Sequence, residues 1–122
     1  MHVLLADDDE SVAMVARLGL RRAGHTVTLV EDGALALAAA REGRYDAVVL
    51  DWSMPGMDGI DVCRHLMADA SWTRVPIVFL TAATHAGAAE EARAAGAAGI
   101  VAKPFDPMTV GEAISRLVSA AP

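Results

Sequence analysis

The chain reads as one α/β domain built on a parallel sheet, and three observations predict it. Short apolar runs recur at 2–6, 26–30, 46–50, 77–80 and 100–102, each closed by polar or turn residues. Runs of that length bounded by turn signals read as buried strands. The stretches between them carry helical patterns, and strands alternating with helices imply parallel pairing. Finally, 122 residues suit one domain, and a hydrophobic fraction of 54% favours a packed core over disorder.

Each element has a local reason. A helix over 10–23 follows the first strand, with Val12, Val15, Leu18 and Met14 on or near one face, an amphipathicity that core packing explains, and Arg21, Arg22 and Gly24 as stop signals. After the strand at 26–30, Asp32 offers an N-cap to an Ala/Leu-rich helix ending near Gly43. The third strand runs into the turn-rich loop Met54-Pro55-Gly56-Met57-Asp58-Gly59, whose Asp58 is placed to cap a third helix. Residues 82–98 are rich in Ala and Gly with almost no large apolar side chain, so the fourth helix is expected to be the least firmly packed. The last helix is predicted to open at Asp106-Pro107, a capping residue followed by proline, with Val110, Ile114, Leu117 and Val118 as its apolar stripe.

Composition narrows the function. No apolar run is long enough to span a bilayer, and Asp7 to Glu10 interrupt the only early one, so a cytoplasmic protein without membrane contact is expected. The net charge is −6, with 10 basic and 16 acidic residues. A nucleic-acid surface needs a basic patch, and the pair Arg21-Arg22 is explained by the helix dipole, so no direct nucleic-acid binding is expected. Cys63 has no partner cysteine and reads as a small buried hydrophobe. His2, His25, His65 and His85 lack metal-ligand spacing. Trp52 is expected to point away from the core, Trp72 to pack before the fourth strand, and Met54 and Met57 to cover their loop.

Four strand ends deliver reactive groups: Asp7 and Asp8 after the first strand, Asp51 after the third, Thr81 after the fourth and Lys103 after the fifth. In a parallel α/β sheet these share the carboxyl edge, where ligands bind. Three carboxylates there repel one another, since unit charges at ~4 Å interact by about 4 kcal/mol at an effective dielectric of 20. A divalent cation with a preference for hard oxygens, Mg²⁺, suits the cluster. One carboxylate is then available as a nucleophile toward phosphorus. Asp51, fixed by its strand, is the candidate acceptor, with Asp7 and Asp8 as cation ligands and Lys103 and Thr81 as partners for phosphoryl oxygens. Taken singly, each has an ordinary explanation: Asp7 to Glu10 as an acidic helix start, Asp51 as a cap, Lys103 as a surface lysine. Asp9 and Glu10 are expected to be only that helix start.

The segments Leu4-Leu5-Ala6-Asp7-Asp8-Asp9, Val48-Val49-Leu50-Asp51-Trp52-Ser53-Met54-Pro55-Gly56-Met57-Asp58-Gly59, Phe79-Leu80-Thr81-Ala82 and Ala102-Lys103-Pro104-Phe105 occur in this order. With them the chain resembles the receiver domain of two-component response regulators, of the chemotaxis-regulator type, over residues 1–122. The resemblance implies a doubly wound, flavodoxin-like fold with five strands in the order 2-1-3-4-5 and five helices, two on one face and three on the other. It further implies Asp51 as phospho-acceptor, and Asp8, Asp51 and the Ser53 backbone carbonyl as Mg²⁺ ligands, with Asp7 acting through water. Thr81 and Lys103 become the phosphoryl contacts, and Lys103-Pro104 a cis bond. A sensor histidine kinase or phosphotransfer protein is the implied donor. An output domain or protein, or a second copy in a homodimer, is the implied reader of the face formed by helix 4, strand 5 and helix 5. The domain would phosphorylate and dephosphorylate itself without acting as an enzyme on an external substrate.

There is one departure. Many family members carry Tyr or Phe two or three residues before the fifth-strand lysine, with a ring that swings inward on activation. Ile100 stands there, stiff at χ1 and without a ring. Signalling through the weakly packed fourth helix is the expected substitute. Ser53 and Ala83 occupy the places where the family tunes phosphate lifetime. Three other classes compete with this reading. A haloacid-dehalogenase-like phosphatase needs a second acid at Ser53 and a cap domain. A flavodoxin-like cofactor binder needs a first loop free of Asp7-Asp8-Asp9. A phosphorylation-independent docking module would share the fold.

Overall fold

The computed structural model describes residues 1–82 and 86–121. The expectations attached to Ala83, His85 and Pro122 lie outside them. Strands and helices alternate as β1 (His2–Ala6), α1 (Glu10–Arg22), β2 (Thr26–Val30), α2 (Gly33–Arg41), β3 (Ala47–Asp51), α3 (Gly59–Ala68), β4 (Ile77–Thr81), α4 (Ala88–Ala94), β5 (Gly99–Ala102) and α5 (Val110–Ala120). The strands pair in parallel in the order β2-β1-β3-β4-β5.

Side-chain alternation along the strands builds two cores. Leu4, Ala6, Val48, Leu50, Ile77 and Phe79 face one side, where α2, α3 and α4 cover them. Val3, Leu5, Ala47, Val49, Val78 and Leu80 face the other, under α1 and α5. β1, β3 and β4 are therefore apolar on both faces, as central strands of a parallel sheet must be. The order reverses direction between β1 and β3, the point at which such sheets open a crevice at their carboxyl ends.

Helix starts follow the residues that cap them. Asp9 accepts hydrogen bonds from the Ser11 and Val12 amides, Asp32 from Leu35 and Asp58 from Asp61. Asp9 is thus the helix-start residue expected of it. Trp72 is buried and donates its indole N–H to the Ala40 carbonyl at 3.2 Å. Cys63 is buried, with Sγ 3.2 Å from the Ala95 carbonyl, and desolvation pushes its thiol up to about 11. His2 and His25 are held by Thr28 Oγ1 (2.9 Å) and Ser115 Oγ (2.8 Å).

Two expectations are corrected. The buried face of α1 is Ala13, Ala16, Gly19 and Leu20, whereas Met14 is 70% and Leu18 48% exposed. The cause lies on α5: a Cβ on Gly19 would overlap Val110, and one on Gly111 would overlap the Gly19 carbonyl, so the helices meet almost backbone to backbone. Small residues win that face over larger apolar ones. The last helix begins at Val110, not at Pro107. Asp106 still organises the turn before it, its side chain accepting from the Met108 amide and its carbonyl from Thr109 and Val110. The apolar stripe stands: Val110 and Ile114 are buried, and Leu117 and Val118 pack partly against the same core.

Candidate functional site

β1 ends by sending Asp7 inward. Its amide donates to the Val30 carbonyl at 3.2 Å, so β2 fixes the backbone there, and Asp7 Oδ1 accepts from the Asp9 amide at 2.9 Å. β3 carries Asp51 as its last residue, in register with Leu80 of β4, and the Trp52 amide donates to the Leu80 carbonyl. β4 ends on Thr81, which is buried, and Lys103 follows β5 with its amide donating to the Thr81 carbonyl at 2.8 Å. Four adjacent strands therefore set all five groups along one edge.

The side chains converge. Asp7, Asp8 and Asp51 each offer a carboxylate oxygen, all within 4.8 Å of one another, the one such grouping of potential metal ligands among the described residues. Lys103 Nζ lies 3.0 Å from Asp51 Oδ1 and 3.4 Å from Asp7 Oδ2. Asp7 and Asp51 are buried while Asp8 is exposed, so the cluster opens to solvent on the Asp8 side. Burial, and after it the neighbouring Asp7 charge, push the Asp51 carboxyl up to about 6 against the opposing pull of Lys103. One ammonium does not offset three carboxylates.

The residues fit a hard divalent cation. Asp7 Oδ2 is buried without a hydrogen-bond partner among the described residues, although an unsatisfied buried carboxylate oxygen is costly. Its nearest relief is the 3.4 Å ion pair with Lys103. All three side chains supply carboxylate oxygen and the open side leaves room for water, the combination Mg²⁺ prefers. Ser53 sits at the rim, its amide 3.4 Å from Asp51 Oδ1.

Trp52 departs from expectation. It is half-buried and packs against the α2–α3–α4 core, its ring centroid 5.2 Å from that of Phe79 and tilted by 46°. The loop after β3 turns back over the sheet, because the Gly59 amide donates to the Trp52 carbonyl, and this folds the indole onto Phe79. Met54 is buried beneath the same loop. Ile100 is half-buried against the same core, so no aromatic ring stands at that place on β5. Lys103-Pro104 is cis.

Two close backbone approaches that shape the site escaped the sequence reading, which named Gly59 only within its loop. Gly33 and Gly59 open α2 and α3, and both lie against backbone: a Cβ on Gly33 would overlap the Met57 carbonyl, and one on Gly59 the Asp51 carbonyl. The available signal was Asp-Gly at two helix starts, Asp32-Gly33 and Asp58-Gly59, with a poor helix former placed directly after each cap.

Similarity agrees with this geometry. The DNA-binding response regulator MtrA of Mycolicibacterium smegmatis is 46% identical over 106 residues, which are 87% of this chain and 45% of that protein. The chain thus spans about half the length of its MtrA relatives. Chemotaxis protein CheY-3 of Vibrio cholerae is 34% identical over 118 residues, 96% of this chain and 91% of that one. The solved structure of the chemotaxis response regulator CheY4 of Vibrio cholerae matches with a TM-score of 0.85 at 33% identity, covering 95% of this chain and 97% of that one. A family model described as the response regulator receiver domain matches residues 3–115. With the strand order, the converging carboxylates and these matches in hand, the chain belongs to the response regulator receiver domain family.

Proposed function

We propose that this domain takes a phosphoryl group onto Asp51 from a sensor histidine kinase or a phosphotransfer protein, and that the acyl phosphate switches a partner surface. The observation that carries this reading is Lys103 Nζ at 3.0 Å from Asp51 and 3.4 Å from Asp7. A cation is held where a transferred phosphoryl group would place its oxygens, beside a carboxylate fixed at a strand end.

The chemistry follows from the residues. An ionised Asp51 oxygen attacks phosphorus, forming an O–P bond as the P–N bond to the donor histidine breaks. The bonding pair leaves on the imidazole nitrogen, which takes up a proton. Lys103 and the Thr81 hydroxyl are assigned to the phosphoryl oxygens, charge-assisted contacts aimed where negative charge gathers. Asp8, Asp51 and the Ser53 carbonyl would hold Mg²⁺, with Asp7 behind a water, and the ion when bound offsets carboxylate and phosphoryl charge. Later attack of water on phosphorus breaks the Asp51 O–P bond and returns the carboxylate and inorganic phosphate. Self-phosphorylation and this hydrolysis are the only reactions assigned, and no external substrate is turned over.

For output we assign the α4–β5–α5 face, read by an attached output domain, a separate protein or a second copy. With a net charge of −6, DNA contact is assigned to residues or partners outside this domain.

Intact mass after incubation with acetyl phosphate and Mg²⁺ tests the reading. One added phosphoryl group is expected in the wild type, and none in Asp51→Ala or with excess chelator. A full-size adduct on Asp51→Ala overturns the assignment.

A further inference from the structure

We infer that Gly33, on a helix that supplies none of the site's side chains, is a positioning residue for the cation-binding loop between β3 and α3. The inference rests on the cation reading above and extends it to a residue no part of that reading uses. Gly33 is the first residue of α2 and is buried. A Cβ there would overlap the Met57 carbonyl oxygen and crowd the Met57 carbonyl carbon and Cβ. The atoms in the way are mostly backbone, which cannot rotate aside as a side-chain tip would. Either α2 or the loop has to move.

The loop is the part that yields. α2 is anchored by Ala36, Leu37 and Ala40 in the core and by the Asp32 cap on Leu35. The loop has exposed residues at Ser53, Pro55 and Gly56, and a turn at Gly56 with φ +77. It is pinned at one end where the Gly59 amide meets the Trp52 carbonyl, at its middle by buried Met54, and at Met57 by α2 itself. Ser53 lies on this loop, with its amide 3.4 Å from Asp51 Oδ1. Pushing Met57 outward therefore drags on the residue whose carbonyl is assigned to the cation. The missing Cβ lets α2 press the loop down onto the site.

The test is magnesium binding, read from Trp52 and Trp72 fluorescence in the unphosphorylated protein, beside thermal melts without metal. Gly33→Ala is expected to weaken Mg²⁺ affinity by about 10- to 100-fold, the range for residues that support a ligand from behind. Gly111→Ala, in the α1–α5 contact remote from the loop, is the control: its melting temperature falls and its Mg²⁺ affinity stays at the wild-type value. Where Gly33→Ala does not fold, Asp32→Ala serves instead. It removes the cap that accepts from Leu35 at 2.8 Å, loosening the first turn of α2 without adding an atom, and a several-fold loss is expected. Affinity unchanged in whichever variant folds overturns the inference while leaving the cation reading intact. A wild type that shows neither Mg²⁺ binding nor acetyl-phosphate modification overturns both.

Discussion

α1 and α5 approach until the Gly19 carbonyl leaves no room for a Cβ on Gly111, whereas α4 enters the opposite core through the methyl group of Ala92. Both interfaces are built from small residues, so side-chain size alone does not separate them. What differs is the partner. On one side small residues admit a neighbouring helix backbone, multiplying close contacts and weak Cα–H···O interactions. On the other, a seven-residue helix opens on Gly87 with no side-chain cap. The first arrangement tolerates no change of spacing. The second rests on side-chain methyl contacts and lacks a side-chain cap, so less fixes its spacing.

The comparison breaks most sharply at Gly111. Gly111→Val forces branched carbon into the Gly19 backbone. Overpacking of this kind costs about 1–3 kcal/mol or more where backbone must move. Urea unfolding should report a loss of at least about 2 kcal/mol at an unchanged slope. A loss near zero would mean that the α1–α5 seam is as adjustable as α4, and the contrast would be lost.

A smaller effect is expected from the site itself. Burial and Asp7 hold the Asp51 carboxyl up at about 6 against an ordinary 3.8. A carboxyl raised in the folded state lends stability that is complete below the unfolded value and is lost as pH rises through about 6. Metal-free protein should therefore lose Asp51's contribution between pH 4 and pH 6, and Asp51→Asn should remove that dependence. At pH 7 the variant should melt higher by roughly 4 °C, taking the relief as about 1 kcal/mol after solvent screening. Thermal melts across the range check the sign. The same variant followed by amide exchange shows whether relief is felt at α4 before the α1–α5 seam.

How far the sequence reached is clearest at these places. Strand ends were legible because short apolar runs stop at Asp7, Asp51, Thr81 and Lys103, and the parallel register then carries them to one edge. Caps at Asp32 and Asp58 were legible because a cap acts within three residues, while Asp9 was legible only as part of an acidic helix start. The face of α1 was misread because Met14 and Leu18 looked like core by size, and no local pattern announces that a partner helix will arrive with Gly111. Trp52 was misread for a related reason: its direction is set by the loop closing at Gly59. Gly33 was silent because its role is a distance to Met57, 24 positions on in the chain. Contacts across elements that work by absence of a side chain leave almost no periodic trace.

Gly87→Ala makes the gentlest probe. Gly87 has φ +93, and among the described residues nothing lies within 4 Å of an added Cβ, so the cost there is conformational, about 1 kcal/mol. The cost lies in the folded state, so it lowers the free energy of every opening that frees Gly87, local or global. Amides of 88–94 should then exchange roughly fivefold faster, since 1 kcal/mol is a factor of about 5 in an equilibrium constant. The melting temperature should fall by roughly 4 °C, and α1 amides that exchange through local openings of their own face should stay unchanged. Amides of 88–94 as well protected as those of α1 in the unsubstituted protein would show one cooperative unit spanning both faces, leaving α4 no freedom of its own.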